Sequence, residues 1–426
     1  MSGDERRLVV VGASLAGLRA VEAARKAGHR GEVVLVGGER HLPYDRPPLS
    51  KTFLDAARDE GLASPPYFRD EAVLRGELRV DVRLSTWATA LDTTSKIVTA
   101  GGESIPYDAL IIATGAEPRK LPVADGLPGV RTLRTLDDSL AIRAAFEAGA
   151  RTVVVGAGFI GSEIASAARK RGLSVTIVEA QPVPLVRAAG PQMGAALAAL
   201  HDRHGTDLRC GVAVQGIEGD GKVERVVLDD GTVVPADLVV VGIGVSPSVG
   251  WLAGSGLALE NGIQCDETLR TVAPGVYAAG DVAHWHNHTM GERQRMENWT
   301  AAAEQGAVAA RNALNPDAAK PYGTVPYYWS DWYGLRIQFV GSPEADEVRL
   351  VDGDVEDGER WVALYRRADR LIGALTLNGP GEIMKYRNQI AAGGSWNDAL
   401  AFANKRRKAR ADRRPIVPVP ATDPAP

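Results

Sequence analysis

Two stretches of the chain repeat one pattern of hydrophobic and small residues. Each begins with four consecutive apolar or β-branched positions, passes through a turn of small residues and enters an alanine-rich segment with helical periodicity. The first stretch runs from Leu8 to about Ala27, and the second runs from Thr152 to about Arg171. Short strands that alternate with helices predict parallel sheets covered by helices on both faces.

In each stretch, a second predicted strand follows the helix and ends near an acidic residue. Residues 32–36 precede Glu39, and residues 174–178 precede Glu179. Further apolar runs at 110–113, 238–241 and 275–279 predict more strands, and a helix is expected at 300–314. We therefore predict an α/β chain with two Rossmann-like dinucleotide-binding domains. The first is discontinuous, over residues 1–117 and 245–318, and the second covers residues 118–244.

Aromatic residues concentrate in the last third of the chain. Residues 281–400 contain 13 of the 24 aromatic residues, including six of the eight tryptophans. Partly alternating runs at 335–340, 361–365 and 371–375 predict a small antiparallel sheet, followed by helices at 382–392 and 396–404. The pattern predicts a C-terminal α+β domain over 319–404. A basic run and a Pro/Ala-rich stretch predict a disordered tail over 405–426.

Composition and charge exclude several classes of protein. The chain has 426 residues, of which 45% are hydrophobic and 24% charged, as in ordinary globular proteins. A net charge of -4 provides no global positive field for nucleic acid. No apolar run reaches the length of a membrane span, and the N-terminus lacks a signal-peptide pattern, so we expect a soluble cytoplasmic protein. Cys210 and Cys265 have neither metal-ligand nor CxxC spacing and are expected to be buried.

The turn of the second stretch has the glycine spacing of a dinucleotide site. Gly156 permits a tight turn, Gly158 lets a pyrophosphate approach the backbone, and Gly161 packs the helix against the strand. Phe159 and Ile160 open that helix, whose N-terminus faces the phosphates. Glu179 lies 18 residues beyond Gly161, where a carboxylate accepts hydrogen bonds from ribose hydroxyls and repels a 2'-phosphate. This pattern favours NADH over NADPH.

The first stretch has a related turn in which serine replaces the middle glycine. Gly12 and Gly17 flank Ser14, and Glu39 stands 22 residues beyond Gly17 as the candidate ribose ligand. The alternative interpretation of Glu39 is a solvated carboxylate at a strand end. Two dinucleotide sites in one chain indicate a resident FAD and an exchanging NAD(H). The Gly280-Asp281 strand end brings a carboxylate towards a ribityl hydroxyl, although Asp281 as a simple turn cap is the alternative.

Several longer motifs resemble one family, the FAD-dependent NADH:ferredoxin reductases of bacterial oxygenase and cytochrome P450 systems, of the putidaredoxin reductase type. The most specific motif is Pro43-Tyr44-Asp45-Arg46-Pro47-Pro48-Leu49-Ser50-Lys51. Supporting motifs are Gly158 to Glu163, Gly242-Ile243-Gly244-Val245-Ser246-Pro247, Glu297-Asn298-Trp299 and Trp329-Ser330-Asp331. The resemblance covers about residues 6–404. It implies a glutathione-reductase-like architecture without the disulfide of that enzyme.

The resemblance also implies roles for individual residues. Lys51 would lie beside flavin N5 and pair with Glu163, which would project towards the nicotinamide; the alternative is an ordinary surface ion pair. Trp299 would open a helix that faces the flavin pyrimidine, and Trp329 would lie near the opposite flavin face as a route for single electrons. The remaining FAD contacts implied are Leu15, Ala16, Arg46, Pro48, Thr114, Gly115, Ala116, Arg119, Glu297 and Asn298. Gly242, Ile243 and Gly244 complete the NAD site.

The function implied is hydride transfer from NADH to FAD and then single-electron transfer to a [2Fe-2S] ferredoxin. Because ferredoxins are generally acidic, we expect a local basic patch near Trp329. Its candidate residues are Arg336, Arg366, Arg367, Lys385, Arg387 and the 405–408 run. Trp332 stands where members of the family often have glutamine, which changes the predicted partner surface.

Two other functions and one other site remain alternatives. An NADH oxidase or peroxidase needs a redox cysteine near the flavin, at about the position of His41-Leu42-Pro43, and none is there. An NADH-sensing flavoprotein similar to apoptosis-inducing factor would use the reduced complex as a signal. His284, His286 and His288 alternate as metal ligands on a strand would, but a solvated loop is expected and no metal is assigned.

Overall fold

The computed structural model describes residues 6–55, 65–124, 126–356 and 358–411. Its first sheet has five parallel strands in the order β19-β7-β1-β2-β3. These strands are β1 (Leu8–Val11), β2 (Val33–Val36), β3 (Asp81–Arg83), β7 (Ala109–Ile112) and β19 (Val276–Ala278). Because β19 pairs with β7, residues far along the chain complete the first sheet. The pairing gives the discontinuous arrangement that the sequence predicts.

Two helices of the first domain pack closely on each other. They are α1 (Leu15–Lys26) and α6 (Trp299–Leu314). A Cβ built on Gly306 of α6 would lie 2.1 Å from the carbonyl oxygen of Ala16, so only glycine allows this approach. The short helix α2 (Thr52–Asp55) follows the Pro47–Ser50 turn. The small residues of α1 and α6 thus set the distance between these two helices, next to the turn that follows β1.

The second sheet repeats the parallel plan, in the order β12-β11-β10-β16-β9. Its strands are β9 (Val130–Arg131), β10 (Thr152–Val155), β11 (Val175–Glu179), β12 (Asp207–Cys210) and β16 (Leu238–Val241). Its helices are α3 (Leu136–Glu147), α4 (Phe159–Lys170) and α5 (Val186–Arg203). Thr135 and Asp138 form a capping box at the start of α3, while α5 is kinked at Gly190 and Pro191.

Smaller sheets flank the two parallel sheets. They contain β4 (Ala88–Asp92), β5 (Ile97–Ala100), β6 (Glu103–Pro106), β13 (Val214–Glu218), β14 (Arg225–Leu228), β15 (Val233–Pro235), β18 (Ile263–Cys265), β20 (Ala283–Asn287) and β21 (Glu292–Arg295). An antiparallel ribbon of β8 (Ala116–Pro118) and β17 (Val245–Pro247) lies where the chain enters and leaves the second domain. The predicted boundary at 117/118 lies in β8, and the one at 244/245 lies directly before β17. The domain bounds stay a prediction.

The C-terminal sheet has five antiparallel strands in the order β22-β23-β26-β25-β24. They are β22 (Tyr327–Trp332), β23 (Leu335–Gly341), β24 (Glu347–Gly353), β25 (Trp361–Arg367) and β26 (Arg370–Leu377). The helices α7 (Pro380–Ala391) and α8 (Trp396–Ala411) follow. The predicted antiparallel sheet is present, with two more strands than the three runs predicted.

The predicted disordered tail is wrong for residues 405–411, which belong to α8. Arg406 and Arg410 of this helix approach Glu382, whose side chain is 4% exposed, and Arg410 also pairs with Asp352. These ion pairs fasten the basic run to the sheet, because Glu382 and Asp352 need cationic partners when they are withdrawn from water. The rest of the predicted tail, residues 412–426, lies outside the described residues.

The expectation of a solvated loop is wrong for His284 and His286, whereas His288 lies in an exposed turn. His284 and His286 lie on β20, which is paired with β18 and β21. Their strand neighbours Ala283, Trp285 and Asn287 are buried, so the alternation is that of a half-buried strand. Among the residues that the structure describes, no group of three or more His, Cys, Asp or Glu side chains is placed to hold a metal ion. Within the same ranges, no helix is both long and apolar enough to cross a membrane.

The hairpin of β22 and β23 inserts its tip into the second domain. Tyr333 has a positive φ of 54° at this tip, and its hydroxyl lies 2.6 Å from His201 Nδ1 and 2.8 Å from Thr206 Oγ1. Its backbone N–H donates to Ser166 Oγ at 2.6 Å. His201 is fully buried beside Trp332, with ring centroids 5.0 Å apart. The tip therefore anchors the C-terminal sheet on α4 and α5.

Burial, aided by the neighbouring His204, lowers the pKa of His201 to about 4. In the unfolded chain a histidine titrates near pH 6.5, so acidification from that pH protonates the unfolded state first and lowers stability. We expect the wild type to lose about 2 kcal/mol more unfolding free energy between pH 7 and pH 4.5 than His201→Gln. Urea titrations of the FAD-loaded protein measure this difference. Equal losses in both proteins would contradict the assignment of the buried neutral imidazole.

Candidate functional site

The turn after β1 has the geometry of a phosphate-binding loop. A Cβ on Gly12 would lie 2.1 Å from the carbonyl oxygen of Ala113, and one on Gly17 would lie 1.9 Å from that of Gly12. Ser14 precedes α1 in an extended conformation, and its hydroxyl accepts a bond from Arg46 Nε at 3.2 Å. The serine that replaces glycine thus holds a guanidinium beside the helix N-terminus. This arrangement suits a pyrophosphate.

Glu39 lies in a compact polar cluster at the end of β2. Tyr44 donates its hydroxyl proton to Glu39 Oε2 at 2.6 Å, and Arg46 donates to Oε1 at 2.6 Å. The Arg46 guanidinium also lies 5.1 Å from the centre of the Tyr44 ring and bonds the carbonyl oxygen of Arg134. Burial raises the pKa of the Tyr44 phenol well above its usual range. The cluster fixes Glu39 and Arg46 next to the first turn.

Arg134 is a site residue that the sequence did not indicate. Its Nη2 donates to Asp281 Oδ2 at 3.1 Å and would lie 3.0 Å from a Cβ built on Gly115. Gly115 has a positive φ of 71°, which glycine adopts without strain. The pair Arg134–Asp281 therefore joins the ends of two predicted FAD segments. Arg134 belongs to the second domain, so that domain contributes a cation to the predicted FAD site.

Lys51 and Glu163 are in contact, as the resemblance implies. Lys51 Nζ lies 2.8 Å from Glu163 Oε2, with side chains 16% and 2% exposed, so the surface-pair alternative does not hold. Ser50 donates its hydroxyl proton to Glu163 Oε2, and Ser330 donates to Oε1. The Pro47–Ser50 turn, which includes Pro48, positions Ser50 and Lys51. One buried carboxylate thereby joins three parts of the chain: the first domain, α4 and β22.

The start of α6 lies against the same loop. Trp299 Nε1 donates to Asp45 Oδ1 at 2.8 Å, which fixes the first residue of the helix. The side chain of Asn298 caps the helix by accepting from Ala301 N at 2.8 Å. Glu297 is further out, half-exposed and paired with Arg295 at 2.6 Å. Asn298 and Trp299 thus orient the N-terminal end of α6, whereas Glu297 forms a surface pair.

Trp329 lies on β22, the outer strand of the C-terminal sheet. Its ring is 5.7 Å from that of Tyr327, and the Arg336 guanidinium lies 5.6 Å from the ring centre. Arg336 is also 3.3 Å from Asp331 Oδ1. Trp329 is half-buried and adjacent in the chain to Ser330, which contacts Glu163. An accessible aromatic ring with a cation over it therefore lies one residue from the buried ion pair.

The predicted basic patch is not brought together. Arg336 is at one end of the sheet, while Arg366 and Arg367 lie at the other end, roughly 23 Å away along the strands. Arg366 and Arg367 also pair with Glu347 and Glu344. Arg387 is tied to Thr324 Oγ1 at 2.7 Å, whereas Lys385 is exposed. Of the predicted patch, Arg336 alone contacts the Trp329 ring in the described residues.

The predicted effect of Trp332 on the partner surface is wrong. Trp332 is 0% exposed, because it faces the second domain rather than solvent. Its indole N–H donates to Ser330 Oγ at 2.8 Å. On a strand, residues two apart share a face, so Ser330 and Trp332 are buried together while Trp329 faces the opposite side.

The turn after β10 repeats the first turn. A Cβ on Gly156 would lie 2.5 Å from the carbonyl oxygen of Gly242, and one on Gly161 would lie 2.1 Å from that of Gly156. At Gly158 the nearest atom would be 3.8 Å away, so this position leaves an open surface. Glu179 Oε2 accepts from Ala157 N at 2.7 Å. The close contacts and the open one match the three glycine roles predicted for this loop.

Further residues predicted for the NAD site lie around the turn after β10. Phe159 packs on Tyr328 with ring centroids 4.6 Å apart, and Ile160 is 43% exposed at the start of α4. Gly244 has a positive φ of 95°, and Ile243 packs on buried apolar residues of the second domain. Arg187, which is exposed, would place Nη2 4.0 Å from a Cβ on Gly244. The sequence did not indicate Arg187, because it lies eight residues beyond Glu179.

Three predicted FAD contacts lie at the ribbon between the domains. Ala116 is in β8, and Thr114 donates its hydroxyl proton to the carbonyl oxygen of Ser248 at 3.0 Å. Arg119 Nε donates to the carbonyl oxygen of Val245 at 3.2 Å. Leu15 and Ala16 are buried at the first turn of α1. For these residues FAD contact stays a prediction.

Neither cysteine is placed for redox chemistry. Cys265 is buried, as predicted, but Cys210 is only half-buried. Burial raises the pKa of Cys265 to about 12 and that of Cys210 to about 11, so both are thiols at neutral pH. A thiolate is the reactive form of cysteine. Neither Cys210 nor Cys265 therefore offers a redox relay for electrons that leave this site.

Comparison with known proteins identifies the family of this chain. Residues 6–306 fit the model of the pyridine nucleotide-disulphide oxidoreductases, and residues 327–410 fit the reductase C-terminal model. The chain belongs to the pyridine nucleotide-disulphide oxidoreductase family. It is 36% identical over 389 residues to rhodocoxin reductase of Rhodococcus erythropolis, across 90% of this chain and 89% of that one. The family is one of oxidoreductases that use FAD and NAD(P).

Two further relatives place this oxidoreductase among the ferredoxin–NAD(+) reductases of that family. The reductase component of the biphenyl dioxygenase system of Paraburkholderia xenovorans is 37% identical over 371 residues, or 87% of this chain and 89% of that one. In the crystal structure of the covalent putidaredoxin reductase–putidaredoxin complex, one chain superposes with a TM-score of 0.86 and 31% identity. The match covers 95% of this chain and 99% of that chain.

The two turns of this oxidoreductase fit the two dinucleotides. Each turn is packed so tightly at its first and last glycines that added Cβ atoms would collide with backbone, and each opens at a helix N-terminus. A donor for phosphate, Arg46, stands beside the first turn, and an acceptor for ribose hydroxyls, Glu179, stands beside the second. The residues present therefore fit FAD at the first site and NAD(P) at the second.

The loop glycines allow a paired test of the second site. Gly158→Ala should fold normally, because its Cβ would meet open space, yet raise the Kd for NAD+ about tenfold by keeping the pyrophosphate from the backbone. Gly161→Ala should lower unfolding free energy by about 2 kcal/mol through the collision with Gly156. Calorimetry with NAD+ and thermal unfolding measure the two effects. Wild-type affinity in Gly158→Ala would contradict the pyrophosphate assignment.

Proposed function

We propose that this oxidoreductase takes a hydride from NADH onto bound FAD and passes single electrons to a [2Fe-2S] ferredoxin that serves an oxygenase or a cytochrome P450. The observation that carries the proposal is the buried pair of Lys51 and Glu163 where three domains meet. Ser50 and Ser330 hold the carboxylate from two sides. Trp329, which is half-buried, is the chain neighbour of Ser330 on β22.

Residues of the first domain would hold FAD. The helix N-terminus after Ser14 and the guanidinium of Arg46 would bind the pyrophosphate, and Glu39 would bind the adenosine ribose. Asp281, kept in place by Arg134, would face the ribityl chain. When bound, FAD accepts a hydride and releases electrons singly. The protein supplies position and charge around that chemistry.

Lys51 and Glu163 would act at the hydride step. The Lys51 ammonium is 16% exposed, so little water screens it, and it stabilises negative charge that arrives beside it. Glu163 keeps this ammonium in place and offers an acceptor to the nicotinamide carboxamide. Burial makes each charge depend on the other, because a lone charge with so little exposure is costly.

Glu179 would select NADH. Its carboxylate is held against the loop by the N–H of Ala157 at 2.7 Å, so it meets the adenosine ribose rather than solvent. A 2'-phosphate at that ribose would face the like charge. Arg187 Nη2 would lie 4.0 Å from a Cβ on Gly244, which follows the neighbouring strand β16.

The ferredoxin would dock at the face that carries Trp329. Ferredoxins of this type are generally acidic, and Arg336 supplies a cation directly over the ring. Peroxidase activity is disfavoured, because His41 stands where a redox cysteine is needed and the two cysteines are protonated. If the protein were instead an NADH-sensing flavoprotein, ferredoxin would not raise the rate of cytochrome c reduction by NADH.

Cytochrome c reduction by NADH tests the proposed electron acceptor. We expect a [2Fe-2S] ferredoxin to raise the rate at least about tenfold, and rising salt to weaken the effect by screening. Arg336→Gln should raise the KM for ferredoxin about threefold. Arg349→Gln, on the opposite edge strand, is the control and should behave as wild type. If NADH bleaches the flavin but no ferredoxin accelerates electron release, the proposal fails.

Glu179→Ala tests the nucleotide preference. Removing the carboxylate should raise the KM for NADH about tenfold and narrow the preference over NADPH, because the ribose contact and the repulsion disappear together. Bound FAD should remain, since Glu179 lies in the second domain. Asp220→Ala, an exposed acid of the same domain, is the control. Loss of the yellow colour would instead contradict the assignment of the two dinucleotide sites.

A further inference from the structure

The carboxylate of Glu163 depends on the directions of two hydroxyl groups. Ser50 and Ser330 each donate to one of its oxygens, and Lys51 adds an ammonium. A serine hydroxyl has a single proton and rotates about its C–O bond. A hydroxyl that turns away would leave one oxygen of a buried carboxylate without its donor. Whatever fixes the rotation therefore fixes the carboxylate.

Trp332 fixes the rotation of Ser330. The indole Nε1 lies 2.8 Å from Ser330 Oγ. An indole N–H only donates, so Ser330 Oγ must accept in this bond. The one hydroxyl proton of Ser330 is then free for Glu163 Oε1. The order of donation is thus Trp332 to Ser330 to Glu163, with no alternative direction.

The indole has a rigid support. Trp332 is fully buried against the ring of His201 on α5, and the next residue, Tyr333, is held by His201, Thr206 and Ser166. These three partners belong to the second domain. The ring of Trp332 therefore cannot turn unless the hairpin tip leaves that domain. The support reaches Glu163 at Oε1, whereas Lys51 contacts Oε2.

We propose that Trp332 and Ser330 are positioning residues for Glu163, so that hydride transfer depends on a tryptophan N–H carried by the β22–β23 hairpin. The inference rests on the proposed role of Glu163 in the hydride step. Trp332 touches neither Lys51 nor the dinucleotide turns in the described contacts, so its effect passes through Ser330. The hairpin carries Trp329 on its other face, and one element thus serves both the hydride site and the electron exit.

Trp332→Phe removes the N–H and keeps most of the ring. We expect the rate constant for reduction of the bound flavin by NADH, measured by anaerobic stopped flow, to fall about five- to tenfold, as for one lost hydrogen bond. The Kd for NAD+, measured by calorimetry, should change less than about twofold. Trp361→Phe, in the same core but on β25, is the control for aromatic truncation and should reduce at the wild-type rate.

Ser330→Ala removes the middle hydroxyl with little change in packing and should slow reduction at least as much. In the Ser330→Ala background, Trp332→Phe should cause no further loss, because the path through Ser330 is already broken. If the two losses multiply, Trp332 acts through packing and the inference is overturned. A tenfold weaker Kd for NAD+ with an unchanged rate constant would also overturn it.

Glu163→Gln separates this inference from the proposed function. If Glu163→Gln reduces its flavin at the wild-type rate, the role of Glu163 fails and the inference fails with it. If Glu163→Gln is slow while both Ser330→Ala and Trp332→Phe match wild type, only the positioning role fails. Slow reduction in all three variants, with melting temperatures of the hairpin variants close to that of Trp361→Phe, supports both.

Discussion

The arrangement of the three domains depends on one buried carboxylate. Glu163 is 2% exposed, and an ionised group so far from water needs several partners to offset its lost hydration. Those partners are Ser50 and Lys51 from the first domain and Ser330 from the C-terminal sheet. Because no single domain supplies enough donors, the carboxylate is satisfied only when the domains are docked. The same contacts that stabilise the docking also form the centre at which we propose the hydride step.

Sequence reasoning recovered the parts of the fold that local patterns determine. The two parallel sheets, the discontinuous first sheet and the antiparallel C-terminal sheet follow from strand periodicity and glycine turns. The pairing of Lys51 with Glu163 came from the resemblance, not from spacing. Residues 405–411 were assigned to a tail because their composition is basic, and composition does not reveal the buried acids Glu382 and Asp352 that neutralise them.

The site residues that sequence reasoning missed are those whose role arises from distant packing. Arg134 lies in no motif, and it reaches Asp281 across 147 positions. Ser50, Tyr44 and Asp45 were quoted within a motif, yet nothing in the sequence showed that their side chains contact Glu163, Glu39 and Trp299. The resemblance connected Trp332 with the partner surface, whereas strand alternation places it inward. The alternation was readable once β22 was recognised as a strand.

The ribbon of β8 and β17 contains both main-chain crossings between the parallel-sheet domains. The two crossings are hydrogen-bonded to each other there, so a rotation of the second domain would have its hinge at this ribbon. Glu163, on α4, lies among partners from outside its own domain. Any swing that opens the nucleotide cleft must pull it away from them. The Glu163 carboxylate therefore holds the domains together only while Ser50, Lys51 and Ser330 balance its charge.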